Sequence, residues 1–428
     1  IGLGAGEPDF PTPAHVRMAA KEAIDAGMTR YTPVGGTPEL KDAIVSKFKR
    51  DNGLDYVADQ VLVSCGGKQS FFNLCQAMID SGDEVIIPAP YWVSYPDMVL
   101  LADGTPVVIE TTMESAFKIT AEQLEAAITP KTRLVVLNSP SNPSGKAYTK
   151  AELAALGEVL MRHPQVFVAT DDMYEHILWT EEPFANILNA TPALYDRTIV
   201  LNGVSKAYAM TGWRIGYAAG PAALIKAMSK IQSQSTSNPT SISQKASEAA
   251  LNGAQDCVQE MLVAFKQRHD AVVAGLNALP GVSCLESDGT FYAFPDMSGL
   301  IEALPEVDDD LALGEYLIEH AGVALVPGPA FGTPGHLRRS FATDLPTLAP
   351  RISKESVLEK NPQAIVAGGM GEDDPGWLDP WRQFATLQAV KNDNLFFVSP
   401  STLQRPTPQM LTGARTLCRH LDSARARQ

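Results

Sequence analysis

The chain has 428 residues, of which 45% are hydrophobic and 19% are charged, and its formal net charge is −15. This length predicts two or three domains with their own cores, and the apolar content excludes a disordered chain. The acidic balance argues against nucleic acid or an anionic membrane as a partner, although a local basic pocket could still bind a small anion.

Neither disulfide bonds nor a metal site is predicted from the spacing of cysteine and histidine. The chain contains no C-x-x-C pair and no H-x-x-x-H spacing, and its five cysteines are scattered: Cys65, Cys75, Cys257, Cys284 and Cys418. No long apolar run predicts a membrane span and no secretion signal is seen, so we expect a cytoplasmic protein. Because the chain starts at Ile1, in what reads as a strand entering a turn, we expect that the natural start is missing.

Six apolar, β-rich runs alternate with longer amphipathic segments in the first half of the chain. They cover residues 60–64, 83–88, 105–110, 132–138, 165–170 and 198–203. This alternation predicts an α/β fold with a mostly parallel sheet that helices cover on both faces. Ligands bind beyond the carboxyl ends of such strands, where the polar segments 138–142, 171–174 and 205–206 follow.

A second, smaller α+β domain is predicted after a long helical pattern at 255–281. The composition changes near Ala349, where we place a boundary. Beyond it, "NPQAIVAGG" and "LFFVSP" are predicted as strands and "EDDPGWLDPWR" as a loop.

Two cations, Lys206 and Arg214, stand eight residues apart among small, aromatic and apolar residues. Burial and a neighbouring cation lower the pKa of a lysine, and the neutral amine is the form that reacts with an aldehyde such as that of pyridoxal phosphate. Ser205 and Arg214 could then bind the phosphate of the cofactor. Taken alone, Lys206 is also consistent with an ordinary surface lysine.

Eight motifs in order resemble the class I aminotransferases, the fold-type I pyridoxal phosphate family that includes bacterial aspartate aminotransferases. They are "GAGEPDF", "YTPVGGTPELKDAI", "CGGKQSFFNL", "PAPYWVSYPDM", "NSPSNPSG", "TDDMYEHI", "SKAYAMTGWRIGY" and "GHLRRSFAT". The resemblance runs from about Gly2 to Leu348. Each motif is weak alone, but together they are specific.

The resemblance implies the residues that surround the cofactor ring. Lys206 would form the Schiff base and move the proton at the substrate Cα, and Asp171 would pair with the pyridine nitrogen. Tyr174 and Asn142 would bind the phenolic oxygen of the ring, and Trp92 would stack on its face.

The resemblance also implies how the phosphate and the substrate are held. The phosphate would contact backbone N–H groups at a helix start, two side chains of the same subunit and one of the partner: Gly66, Gly67, Lys68, Ser205, Arg214 and, from the partner, Tyr31. Arg338 would bind the substrate α-carboxylate, helped by Asn142, Trp92 and the backbone of Gly6. A homodimer follows from the role of Tyr31.

The implied reaction is ping-pong transfer of an amino group between an L-amino acid and a 2-oxo acid. Aspartate and glutamate are the favoured donors, because Lys68 matches a lysine that relatives use on the distal carboxylate. Another fold-type I enzyme, such as a carbon–sulfur lyase, remains an alternative. Singly, Asp171 could cap a helix and Trp92 could be a core residue. "IGLGAG" is rejected as a dinucleotide fingerprint because it lacks the accompanying strand–helix unit and acidic partner.

The chain departs from the family pattern in three places: at Arg339, at its start, where the family's leading segment that helps close the active site is absent, and from about Ala349, where the last helix is replaced. Arg339 replaces an apolar residue, and strand alternation lets only one of Arg338 and Arg339 face the substrate. We expect an entry strand and hinge (1–13), a large cofactor-binding domain (14–254) and a small domain (255–348) that is incomplete, because 349–428 replaces its last helix.

The segment 349–428 has a resemblance of its own, to the C-terminal lobe of periplasmic cobalamin-binding proteins. It implies a ligand-contacting role for Arg405 and a pocket wall of Trp377 or Trp381. Less than one lobe of a two-lobed binder is present, so we expect that the segment neither binds cobalamin nor completes the small domain. A chimera, with cobalamin binding or without activity, is the third alternative.

Overall fold

The computed structural model describes residues 1–348, 361–367, 378–398 and 409–427. These residues belong to two compact units, Ile1–Ala349 and Pro350–Gln428. No helix within the described ranges is long and apolar enough to cross a membrane.

A seven-stranded sheet forms the centre of the first unit. Its strands in chain order are β1 Val61–Ser64, β2 Glu84–Pro88, β3 Thr105–Ile109, β4 Thr132–Asn138, β5 Phe167–Asp171, β6 Thr198–Gly203 and β7 Gly216–Ala219. Their spatial order is β1-β7-β6-β5-β4-β2-β3. Only β7 runs against its neighbours, so the predicted α/β fold with a mostly parallel sheet is confirmed.

Alternate residues of each strand enter different hydrophobic clusters, as expected when both faces of a sheet are buried. On β1, Val61 and Val63 belong to one cluster and Leu62 to the other. Because both faces are buried, the strands are nearly continuous apolar runs. Polar residues are found at the strand ends, where the burial stops.

Helices cover the sheet and continue into the smaller part of the unit. Those before residue 254 are α1 Ala14–Asp25, α2 Pro38–Lys47, α3 Gly67–Met78, α4 Ser94–Leu100, α5 Ala121–Ala127, α6 Lys150–Arg162, α7 Ile187–Ala190, α8 Ala222–Ser235 and α9 Ser241–Asn252. Local sequence explains several starts: Thr37 caps α2, and Thr120 and Thr149 form capping boxes with Gln123 and Glu152.

The segment from residue 255 to 348 adds helices and a small antiparallel sheet. The helices are α10 Asp256–Asn277, α11 Ser298–Ala303, α12 Asp310–Ala321 and α13 Leu345–Leu348, and the strands are β8 Tyr292–Ala293, β9 Val326–Pro327 and β10 Leu337–Ser340. The sheet order is β8-β10-β9. β10 carries both Arg338 and Arg339, and their side chains point to opposite sides.

The second unit contains a parallel pair of strands, β11 Ile365–Ala367 and β12 Leu395–Phe397. Its helices are α14 Asp379–Arg382, α15 Gln388–Lys391 and α16 Gln409–Ala426. The ring of Phe396 stacks on His420 at 4.6 Å between centroids. The two apolar strands predicted here therefore pair with each other.

Three expectations about local structure are corrected. Strand β7 was not predicted, because it is short and lies inside the cation-bearing motif. Residues 379–382 are helical although they were predicted as loop, since Pro380 stands at a helix start where proline is tolerated. The N-terminal strand is reduced to one bridge, between Gly2 and Ala324.

Candidate active site

A cavity of about 420 Å³ lies beyond the carboxyl ends of the parallel strands. Eleven of the predicted site residues line it: Gly6, Gly67, Lys68, Trp92, Asn142, Asp171, Tyr174, Ser205, Lys206, Arg214 and Arg338. Tyr31 does not take part, and its side chain is 93% exposed. Gly66 does not line the cavity, but it lies against the guanidinium of Arg214, which does.

Lys206 follows β6 and projects its amine into this cavity. The amine donates a hydrogen bond to the carbonyl of Gly6, and it lies 5.7 Å from the centre of the Phe291 ring. Burial and the nearby charge of Arg338 lower the pKa of Lys206 to about 8. A larger fraction of the Lys206 amine is therefore neutral near pH 7 than in an exposed lysine.

Asp171 ends β5, next to Asn138 at the end of β4. The side chain of Asn138 donates to the backbone carbonyl of Asp171 at 2.9 Å, which ties the two strand ends together. One carboxylate oxygen of Asp171 accepts from the hydroxyl of Tyr95, and the other accepts from the N–H of Met173 at 3.2 Å. Burial raises the pKa of Asp171, and both hydrogen bonds oppose that effect.

An anion site is formed where α3 begins. No side chain caps this helix at Gly66, so its first N–H groups are available to a ligand. Gly66 has φ +91°, and a Cβ there would lie 2.3 Å from the guanidinium of Arg214. Gly216 packs even more closely, since its Cβ would lie 2.2 Å from the nitrogen of Gly67. Arg214 itself adopts a left-handed backbone, with φ +57°.

Arg338 is buried in the wall of the cavity. Its guanidinium donates to the Asn142 side chain at 2.8 Å and to the carbonyl of Gly4 at 2.6 Å. The guanidinium lies over the Tyr292 ring at 4.5 Å. Within the described structure its Nε has no hydrogen-bond partner, so donor capacity remains for an anion.

The neighbouring Arg339 faces away from the cavity. Its guanidinium donates to the carbonyl of Leu348 at 2.9 Å. The alternation of side chains along β10 therefore places Arg338, and not Arg339, in the cavity.

Aromatic side chains form part of the cavity wall. Trp92 and Tyr95 make an edge contact with 5.2 Å between ring centroids, and the hydroxyls of Tyr174 and Tyr292 lie 2.9 Å apart. Burial raises the pKa of Tyr174 well above its usual value, so the phenol stays protonated. Lys68 is exposed, bonds Ser94 at 2.8 Å and sits 4.9 Å over the Trp92 ring.

Several residues that line the cavity were given no role from the sequence, although Asn138 and Met173 lie in the segments expected at the strand ends. They are Val93, Tyr95, Asn138, Met173, Thr211, Tyr292, Val326 and Phe331. Tyr95 lies in the same motif as Trp92, three residues further along the chain. This spacing could have indicated that both side chains lie near the cavity. Tyr292 and Phe331 come from distant segments, so only the folded chain brings them here.

The chain matches known proteins over the unit that contains this cavity. The model of the family "Aminotransferase class I and II" matches residues 1–350. An aspartate/prephenate aminotransferase of Nitrosomonas europaea is 58% identical over 83% of this chain and 90% of its own length. The crystal structure of the aspartate aminotransferase from Rhizobium meliloti superposes with a TM-score of 0.79 at 52% identity, covering 84% of this chain and 90% of that one. For an aspartate aminotransferase of Thermus thermophilus the TM-score is 0.76 at 43% identity, over 81% and 88% of the two chains.

The chain therefore belongs to the class I and II aminotransferase family and has the fold-type I architecture. Enzymes of this family depend on pyridoxal phosphate and use amino acids and 2-oxo acids as substrates. The cavity fits that cofactor. It offers an amine with a lowered pKa, a buried carboxylate and an uncapped helix start beside an arginine.

Proposed function

We propose that this aminotransferase moves the amino group of aspartate or glutamate to a 2-oxo acid in a ping-pong reaction. The observation that carries the proposal is the convergence of Lys206, Asp171 and Arg338 on one cavity. The amine of Lys206 can react with the aldehyde of the cofactor, and the carboxylate of Asp171 can pair with its ring nitrogen. The guanidinium of Arg338 can bind the carboxylate of the substrate. Prephenate, a 2-oxo acid named for some relatives, is a candidate acceptor.

Three side chains are proposed as catalytic. Lys206 would hold the cofactor covalently, and its amine would move the proton at the substrate Cα. Asp171 would accept a hydrogen bond from the ring nitrogen, and Tyr174 and Asn142 would hold the ring oxygen. Bound pyridoxal phosphate supplies the aldehyde that takes the amino group and a ring that accepts electron density.

The phosphate is proposed to lie at the start of α3. Donors for it are the N–H groups of Gly67 and Lys68 and the side chains of Ser205 and Arg214, whereas the N–H of Gly66, expected from the sequence to contribute, donates to the carbonyl of Ser64 at 2.8 Å. The hydroxyl of Tyr31 would come from a second copy of the chain, which is supported by its exposure of 93%. We therefore propose a homodimer.

The amino acid is proposed to bind between Arg338 and Lys68. Arg338 holds the α-carboxylate with two N–H groups, helped by Asn142 and the backbone of Gly6. Trp92, which lines the cavity, would stack on the ring of the cofactor. Lys68 is exposed, lies over Trp92 and donates to Ser94 at 2.8 Å, and it would exchange that hydroxyl for the distal carboxylate.

The division of the first unit is also a proposal. Residues 1–13 would link the domains, 14–254 would bind the cofactor, and 255–348 would form the small domain that carries Arg338. A cytoplasmic location, expected from the sequence, remains a prediction.

We propose that residues 349–428 form an appended segment that does not bind cobalamin. A corrinoid needs two facing lobes, and this segment spans less than one. Arg405 and Trp377 lie outside the described residues. The ring of Trp381 packs against the ring of Phe384, with 6.1 Å between the ring centroids. Titration with cobalamin, followed by calorimetry, tests the proposal, and saturable micromolar binding would contradict it.

The reaction is tested by incubating the purified chain and pyridoxal phosphate with 15N-aspartate and 2-oxoglutarate. Label should appear in glutamate, and double-reciprocal plots at several acceptor concentrations should be parallel. Turnover without any 2-oxo acid would instead indicate a lyase. Lys206→Ala should abolish transfer, and transfer retained by that variant would contradict the proposal.

A further inference from the structure

We propose that Tyr95 is a positioning residue for the transfer reaction: its hydroxyl holds the carboxylate of Asp171 ionised and aimed into the cavity. This inference rests on the proposed role of Asp171 at the ring nitrogen. Tyr95 itself need not touch the substrate, because its hydroxyl acts through Asp171.

The Tyr95 ring is fixed from two sides. It lies in the first turn of α4 and is 1% exposed. The Phe71 ring packs edge-on at 4.9 Å between centroids and Trp92 does so at 5.2 Å. With the ring held in this way, the direction of its hydroxyl toward Asp171 is set by packing and by the short hydrogen bond.

The carboxylate of Asp171 has about four acceptor positions. Tyr95 occupies one on one oxygen, and the N–H of Met173 occupies one on the other at 3.2 Å. Acceptor capacity thus remains on both oxygens for a donor in the cavity. These two donors, one on each oxygen, restrict rotation of the carboxylate, and Asn138 holds the backbone of the same residue.

The charge state of Asp171 gives Tyr95 a second effect. Burial alone raises the pKa of Asp171, and the hydrogen bond from Tyr95 is the largest influence that opposes it. Burial and the charge of Asp171 raise the pKa of Tyr95 well above its usual value, so the phenol stays a donor. Without the hydroxyl, the proton shared between carboxylate and ring nitrogen would shift toward Asp171, and the ring would accept electrons less well.

The test uses Tyr95→Phe, which keeps the ring and removes only the donor. The holoenzyme is prepared with pyridoxal phosphate carrying 15N in the ring, whose chemical shift reports protonation of that nitrogen. Because a hydrogen bond to a charged group is involved, kcat should fall about tenfold to a hundredfold while KM changes little. The nitrogen signal should move toward the neutral value. Tyr95→His, which restores an N–H donor, should recover part of both properties.

Two further variants separate the possible outcomes. Tyr56→Phe removes a buried hydroxyl that has no partner within the described structure and lies outside the cavity, so it should leave kcat and the 15N shift unchanged. Asp171→Asn should deprotonate the ring nitrogen. A protonated nitrogen and unchanged kcat in Tyr95→Phe would overturn this inference alone. A protonated nitrogen in Asp171→Asn would overturn the proposed role of Asp171.

Discussion

Lys206 can react only as a neutral amine, and its surroundings favour that form. Burial and the guanidinium of Arg338 lower its pKa to about 8. In the cofactor-free protein, acylation of Lys206 by acetic anhydride should therefore reach half of its maximal rate near pH 8. Peptide mapping of a pH series measures this midpoint.

Arg338→Met should move that midpoint to higher pH, because it removes a like charge that disfavours the protonated amine. Arg339→Met is the matched control. Its guanidinium bonds Leu348 and faces away from the cavity, so the midpoint should stay in place. An equal shift in both variants would mean that Arg338 has no specific influence on Lys206.

Lys68 is the proposed contact for a distal carboxylate. Lys68→Ala should raise KM for aspartate and glutamate about tenfold, since a charge-assisted contact to the substrate is lost, and it should spare apolar amino acids. Steady-state kinetics with both donor classes measure the difference, and Lys131→Ala, an exposed lysine outside the cavity, is the control. A uniform loss across donors would assign Lys68 to the phosphate site or to folding.

The sequence allowed most cavity residues to be predicted, because they follow strands within recognisable motifs. Tyr95 could not be predicted as a partner of Asp171, since the two residues are 76 positions apart and their contact depends on how α4 packs. Tyr31 was predicted from resemblance, but a single chain leaves it exposed.

Among the elements, α3 and β7 pack closely where the helix begins. Gly216→Ala would place a Cβ 2.2 Å from the backbone nitrogen of Gly67, so the helix start must move. We expect a loss of pyridoxal phosphate affinity of about tenfold or more, measured by equilibrium dialysis. Gly212→Ala is the control, because nothing lies within 4 Å of its Cβ position. Equal affinities in the two variants would argue against a phosphate site at this helix start.

The positions of the strands in the sequence were easier to predict than whether each strand runs parallel or antiparallel to its neighbours. Six buried runs predicted six strands, because a sheet covered on both faces requires continuous apolar segments. Strand β7 was not predicted because Gly216–Ala219 is short and poor in β-branched residues. It runs antiparallel between β1 and β6, a position that local sequence does not specify.

At the scale of the whole molecule, the proposed homodimer can be tested through Tyr31. If Tyr31 serves the partner's phosphate, a hybrid of a Lys206→Ala subunit and a Tyr31→Ala subunit has one native site and one site with both defects. Mixing equal amounts of the two variants should then give about a quarter of the native activity from the native sites alone, because half of the randomly formed dimers are hybrids and each has one native site. No recovery after verified subunit exchange would place Tyr31 in its own subunit's site, or outside any site.

The proposed reaction depends on a covalent bond between Lys206 and pyridoxal phosphate in this cavity. Borohydride reduction of the cofactor-loaded chain, followed by proteolysis and mass spectrometry, measures that bond. We expect one reduced phosphopyridoxyl group per chain, on the peptide that contains Lys206. Label on another lysine, or none with the cofactor in excess, would contradict it.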